Sequence, residues 1–392
     1  MRAPRKYAAF GQSGGSGCPL LESAAFSELC GFETDDLREA LAVFRHSARA
    51  FLAGVEATRP AQPMEAEFAS ICELAEKRSA NISAAGARQF FTAHFTPCRV
   101  RTDAKPHQAV NGFLTGYYEP EVEGTLTASP GFSEPVLARP EDLITFALGA
   151  GQISLRPELS AGRQSGAGKM LPYWDRHQIE SGQAGGTFIP IVWLRDAAEV
   201  FLCQVQGSAR VLLPGGDILR LGYAGRSGHP YTSIGRILIE SGEIAQSEMS
   251  LASLKHWIRS AGQLPGQRGR LLMQRNRSYV FFKVDTRIGP HDGPVGAAGI
   301  SLSPVRSIAV DRSLWHYGLP FWVDARLPWK STAPEPFQRL MIAQDTGSAI
   351  VGPARVDIFF GSGEEAGKLA GGIRHSACVH VLLPNQQEGQ DA

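Results

Sequence analysis

The spacing of apolar residues changes twice along the chain, and each change predicts a different kind of element. From Thr34, "TDDLREALAVFRHSARAFL" sets Leu37, Leu41, Phe44, Ala48 and Phe51 on one face at helical spacing, with Thr34 as N-cap and acids in the first turn. Two further helices are predicted, over about 64–78 and 84–95, so that a flexible leader (1–25) is followed by a helical layer. After Asn111 the pattern turns to short β-forming runs: "GFLTGYYEPEVEGTLT", "TFIPIVWL", "EVFLCQVQGSARVLL" and "DILRLGYAG". "LSAGRQSGAGKMLPYWD" reads as a loop between them. A helix pair follows in "HPYTSIGRILIESGEI", where His229-Pro230 would open the first helix, and in "SEMSLASLKHWIRSAG", where Ser250 would cap the second. Beyond "QLPGQRGR" the strands resume: "SYVFFKV", "SIAVD", "LPFWVDA", "RLMIAQD", "RVDIFFG" and "CVHVLLP".

Charge narrows the choice of partner. Lys plus Arg (39) balances Asp plus Glu (38) in 392 residues, so no net field draws the protein to nucleic acid or acidic membranes, and an uncharged polymer suits it better. Abundant Gly (43) and Pro (25) fit a turn-rich β protein. The six cysteines show no C-x-x-C and the ten histidines no paired spacing, so no metal is expected. Cys203 and Cys378 sit in strand-like runs, where a buried, inert thiol is the default. No apolar run is long enough to span a membrane. The start, "MRAPRKYAAFGQSGGSGCPL", is basic and holds a cysteine but lacks the apolar core of an export signal; the protein stays inside, or its signal lies outside this chain.

The chemistry concentrates in "RLMIAQDTGSAIVGPARVDIFFGSG". Asp345-Thr346-Gly347-Ser348 spells the loop of pepsin-like proteases, but those need two such loops, and the other candidates here are only "DTR" at 285 and "DGP" at 292. A homodimeric retroviral-type protease would need one loop, yet is far shorter and has an apolar residue where this chain has Gln344. A different spacing stands out: Asp324, Asp345 and Asp357 each follow or interrupt a strand-like run, as on one small barrel. Asp324 and Asp357 read equally well as structural. Asp345 does not, because the small residues after it, including Gly347 and Ala349, let a bulky ligand reach the carboxylate and nearby N–H groups. "GSGEEAG" invites a nucleotide reading, but its two glutamates would repel phosphate, so a turn is expected.

"YVFFK", "FWVDA", "LMIAQDTGSAIVGPARVDIFFGSGEEAGKLAG" and "VHVLLP" resemble, in order, the three-aspartate (3D) domain of the lytic murein transglycosylase A family. "GFLTGYYEPEVEG", "CQVQGSARVLL" and "GYAGRSGHPYTSIGRILIESGEI" resemble that family's insert domain, and together the likeness covers about residues 110–385. It implies a mainly β protein with an N-terminal α-helical layer: a double-psi β-barrel domain, a smaller inserted β-barrel domain, and a groove between them. The implied boundaries are 26–118 for the helical part, 119–265 for the insert, 266–385 for the catalytic barrel and 386–392 for a tail.

The resemblance also implies the reaction. The family cleaves the β-1,4 bond between N-acetylmuramic acid and N-acetylglucosamine in peptidoglycan, leaving a 1,6-anhydro end because the muramoyl C6 hydroxyl attacks its own C1. Asp345 matches the family's acid/base, with Asp357 and Asp324 supporting it. A lone carboxylate suffices where the substrate supplies the nucleophile: it protonates the glycosidic oxygen, then accepts the hydroxyl proton. The first task needs a pKa raised from about 3.9, and two units correspond to about 2.7 kcal/mol. Tyr117, Tyr118, Gln206, Ser208, Tyr223 and Arg226 would hold the glycan, with His229 and Tyr231 nearby. Read alone, such residues are more often turn and core elements; the family pattern favours binding for Tyr118, Gln206 and Tyr223. No cofactor or metal is implied. Peptidoglycan strands are the partner, with the protein a monomer open to complexes with other cell-wall enzymes, at a periplasmic or outer-membrane-associated location. Other readings stay open: a hydrolase with Asp324 or Asp357 activating water, a wall-binding module that does not cut and, more remotely, an aspartic protease.

Overall fold

The computed structural model describes residues 19–79, 81–101, 112–146, 158–185, 188–289, 291–385. Most of the expected leader, and the expected tail after Asn385, lie outside them. Leu20–Ser23, assigned to the leader by sequence, is instead a strand paired with Phe95–Arg101.

The chain divides into two compact units, one comprising residues 1–117, 295–361 and 372–392, the other 118–294 and 362–371. In the first, the three predicted helices form at Leu37–Leu52, Ala66–Glu76 and Ala84–His94. Asp36 rather than Thr34 caps the first, its carboxylate accepting from Arg38 N. Leu37, Leu41, Phe44 and Ala48 are buried as their spacing requires, whereas Phe51 lies exposed in the last turn. Phe44 is the centre of the layer, its ring within 6.0 Å of Phe68, Phe90, Phe91 and Phe95. Just before the first helix, Asp35 takes both 2.7 Å bonds of the buried Arg306 guanidinium, which ties the helices to the barrel.

That barrel is a ring of strands in the order Arg374–Pro384, Pro320–Leu327, Glu335–Asp345, Ser307–Ala309, Arg355–Ser362 and Gly112–Glu119. Pairing of Gly112–Thr115 back onto Arg374–Ala377 closes it. Ser307–Ala309 runs parallel to Glu335–Asp345 and antiparallel to Arg355–Ser362, so one short strand lies between the two that carry Asp345 and Asp357.

The second unit holds its own ring: Val280–Val284, Ile218–Arg226, Ala209–Leu212, Glu121–Thr125, Pro190–Leu194 and Glu134–Leu137, closed by a bridge from Ala138 to Phe282. Val136, Val192, Val211, Leu221 and Phe282 fill it. The sequence boundary at 265 therefore falls short: the helix Arg268–Gln274, missed by pattern, and the strand Val280–Val284 belong to this unit.

Three other expectations are corrected. The run "AAEVFLCQVQ" is a helix, Ala197–Gln206, not a strand. Its termini decide this, since Asp196 accepts from Glu199 N and Gly207 closes the helix at φ 85, while near-continuous burial hides any helical period. Cys203 is buried there, its thiol pushed up to about 12 by burial. The expected loop contains a hairpin of Ala161–Gln164 with Met170–Pro172. "GSGEEAG" opens the helix Gly363–Gly371 rather than a turn.

Candidate active site

Asp345 ends a strand whose preceding residues are core, and its backbone is held there from two sides. Val310 N donates to its carbonyl at 3.1 Å, and Ala298 N donates to the Gln344 carbonyl at 3.0 Å. Gly296 lets the loop approach this closely, because a Cβ there would lie 2.7 Å from the Gln344 oxygen. The consequence is a fixed carboxylate: Oδ1 accepts from Ala297 N at 2.9 Å and Thr346 N at 2.8 Å, and Oδ2 accepts from the Tyr117 hydroxyl at 2.9 Å.

Burial raises the Asp345 pKa above the ordinary carboxylate value, against the opposing pull of the N–H groups, the Tyr117 hydroxyl and the Arg59 cation. Arg59 itself donates to the Thr346 carbonyl at 3.1 Å. Two N–H groups occupy the lone pairs of Oδ1, so the proton of the neutral acid belongs on Oδ2. Burial, reinforced by the carboxylates Asp345 and Asp357, pushes the Tyr117 phenol well above its usual range and keeps it a hydrogen donor.

Asp357 lies across Ala309 from Asp345, both residues registering with that one position, roughly 10 Å apart at the backbone for two strand spacings. Thr115 donates to its Oδ1, and Arg355 donates to the Thr115 hydroxyl at 2.7 Å. Burial pushes its pKa up to about 6, opposed by Thr115 and Arg355 and aided by Asp345. Thr115 and Tyr117, two residues apart, thus line one face of their strand and contact one carboxylate each.

Residues 113–283 match the MltA specific insert domain and residues 306–383 the 3D domain. A crystal structure of the membrane-bound lytic murein transglycosylase from Agrobacterium tumefaciens superposes with a TM-score of 0.80 at 34% identity, covering 93% of this chain and 97% of that one. The chain belongs to the lytic murein transglycosylase A family. MltA from Neisseria gonorrhoeae gives a TM-score of 0.75 at 28% identity, covering 98% of this chain and 97% of that one. The Vibrio cholerae membrane-bound lytic murein transglycosylase A is 30% identical over 279 residues, 69% of this chain; the match spans 65% of that protein's length. Mainly β architecture with a helical layer and two barrels is therefore the family fold, as the resemblance implied.

Within this family framework the candidate residues divide. Asp345, Asp357 and Tyr117 come together, and the exposed Ala349 and part-exposed Gly347 form the turn after Asp345. Asp324 does not join them. It registers with Gln338 near the far end of the strand that carries Asp345, and accepts from Gln338 Nε2 at 3.0 Å.

In the inserted unit, Tyr118 is buried with its ring against Gly367, where a Cβ would come within 2.8 Å. Adjacent strand residues face opposite ways, so Tyr117 reaches Asp345 while Tyr118 turns into the insert core. Gln206 Oε1 accepts from Tyr118 N at 3.1 Å and fixes backbone; Ser208 is buried; Tyr223 is half-buried beside a bulge; Arg226 donates to Ser160 Oγ at 2.8 Å. His229 is buried against the Tyr173 carbonyl and precedes a helix that begins only at Ile234, capped by Ser233. Sequence reading missed Thr115, which strand alternation with Tyr117 marks, and Ala297, whose contribution is a backbone N–H that no side-chain motif signals. Among the described residues no group of His, Cys, Asp or Glu is arranged to hold a metal.

Proposed function

We propose that this protein is a peptidoglycan lytic transglycosylase in which Asp345 acts first as acid and then as base on the β-1,4 bond between N-acetylmuramic acid and N-acetylglucosamine. The observation that carries the reading is the two-sided hold on Asp345, with Oδ1 saturated by two N–H groups and Oδ2 facing one reorientable hydroxyl. Such a carboxyl delivers its proton from a single oxygen. Raised by burial, Asp345 protonates the leaving glycosidic oxygen; as carboxylate it is stabilised by three donors and takes the proton of the muramoyl C6 hydroxyl, which closes the 1,6-anhydro ring. The hydroxyl is tethered to the carbon it attacks, an advantage in effective concentration that entering water lacks. Asp357, at about 6, shares the field of Asp345 and tunes its proton affinity.

No cofactor or metal has a step in this scheme. Two of the relatives named above, from Agrobacterium tumefaciens and Vibrio cholerae, are called membrane-bound, which supports an envelope location; we place this protein at the periplasmic face, where its polymer lies. Among the described residues no helix is long and apolar enough to cross a membrane.

A second reading has one observation in its favour: Asp357 and Asp345 register with the same residue, Ala309, from the two strands that flank it, which puts two carboxylates on one stretch of the barrel, as a two-carboxylate hydrolase requires. Mass spectrometry of a murein digest separates the two. Anhydromuramoyl ends, lighter by one water, are expected; reducing ends with Asp345 still essential would replace the transglycosylase reading with the hydrolase, and no soluble product would leave a binding module.

A further inference from the structure

Beyond Thr115 the same strand face carries Phe113, which is 47% exposed although its neighbours at Gly112 and Leu114 are buried. The Arg355 guanidinium lies over its ring, 5.1 Å from the centroid. Arg355 donates to the Phe113 carbonyl at 3.3 Å, the Val356 carbonyl at 2.7 Å and Thr115 Oγ1 at 2.7 Å, all uncharged acceptors. These use three of its five N–H groups. On the other side, Ser376 registers with Phe113 and Arg374 with Thr115, which puts the exposed Arg374 on this face as well. Asp357, the carboxylate alongside, is engaged by Thr115 instead. Among the described residues no ion pair involves Arg355 or Arg374. A half-buried cation whose hydrogen bonds all go to neutral acceptors and which reaches Asp357 only through Thr115, a second cation across the strand pair and an exposed ring between them make a place for an anion attached to a flat, partly apolar body.

We propose that Arg355, Arg374 and Phe113 form a subsite for a carboxylate carried on the lactyl branch of a muramoyl residue, the ring covering the sugar and Arg355 taking the acid. The inference rests on the peptidoglycan reading above and deepens it: the subsite distinguishes muramoyl strands from plain N-acetylglucosamine chains. Phe113 lies four residues from Tyr117, roughly 13 Å along the strand, so the sugar it covers is not the one being cleaved. Two sources supply such a carboxylate, the free lactyl group of peptide-free glycan and the acids of an attached stem peptide.

The test measures binding by calorimetry in the Asp345→Asn background, with Arg355 intact or changed to Gln or Lys. Three probes of equal length are used: chitohexaose, peptide-free muramoyl glycan and peptide-bearing muramoyl glycan. With Arg355 intact, at least one muramoyl probe binds more tightly than chitohexaose, and Arg355→Gln cuts that margin about tenfold, the scale of one hydrogen bond to a charged group. Arg355→Lys restores part of it. A margin lost only for the peptide-bearing probe identifies the stem peptide as the source, and one lost only for the peptide-free probe identifies the lactyl group. An unchanged margin overturns the proposal, as does an equal loss on all three probes, which is what a role confined to holding Thr115 and Asp357 would give. Cleavage of murein by the parent chain is assayed alongside: no cleavage with an Arg355-dependent margin removes the enzymatic reading and leaves the anion subsite standing.

Discussion

Two regions of this molecule bury carboxylates and treat them in opposite ways. In the inserted unit, Glu119 is fully buried and closed in by charge: Arg210 Nε lies 2.8 Å away, Arg220 Nη2 3.0 Å, and Ser362 Oγ donates at 2.7 Å. Both arginines also donate to the Asp292 carbonyl, at 2.9 and 3.0 Å, so this one anion gathers three separated segments of chain. In the barrel of the other unit, Asp345 and Asp357 receive only N–H and O–H donors, and their nearest cations act from behind Thr346 and Thr115. Full compensation fixes a charge permanently and makes it structural. Partial compensation in a buried setting leaves a proton free to come and go, as chemistry requires.

The contrast yields ranked expectations. Asp345→Asn should lower turnover on murein by roughly a thousandfold or more, with folding and glycan affinity near the parent's, because Asn keeps the shape and has no proton to exchange. Turnover within a factor of ten of the parent's would end the acid/base assignment.

Glu119→Gln should cost about 3–5 kcal/mol of stability by leaving two arginines facing a neutral amide, read from urea unfolding. A loss well under 1 kcal/mol would erase the distinction between the two regions.

Asp357 gives a pH signature. Its folded pKa of about 6 exceeds the unfolded value, so the native state holds the proton more tightly. The stability this contributes is complete below about pH 4 and fades as pH rises towards 6. Asp357→Asn should lack that decline, gaining about 2–3 kcal/mol on the parent across the window. Parallel stability curves for the two proteins would contradict it.

The smallest effect concerns Tyr117. Removing its hydroxyl with Phe takes a donor from Oδ2 of Asp345, which should move the apparent pKa of kcat/KM upward and lower its maximum by about tenfold. An unmoved pH profile would make Tyr117 a packing residue.

How much of this was legible in the sequence depends on what each residue does. The helix Leu37–Leu52 showed its face because one side meets solvent, and the Asp345 turn showed itself because its small residues serve no packing purpose. The helix Ala197–Gln206 was hidden because burial on nearly every side erases the period that distinguishes helix from strand. Tyr118 and Gln206 suit a glycan surface by their chemistry, but spacing along the chain does not encode that Tyr118 is buried or that the part-exposed Gln206 accepts from its backbone N–H. Asp324 shares a barrel with Asp345 but sits far from it in strand register, which spacing along the chain does not encode.

The Ala297 N–H has a consequence for how this site tolerates change over evolutionary time. A donor carried by the main chain does not depend on the chemistry of the side chain beside it, so at the buried position 297 the bond to Asp345 limits substitution only through the space a side chain needs. Only proline deletes it outright. Selection would act instead on Gly296, whose missing side chain lets the loop lie against the Gln344 carbonyl. Part of the candidate site is thus inherited as a path of the backbone, guarded by a residue that never touches the Asp345 carboxylate.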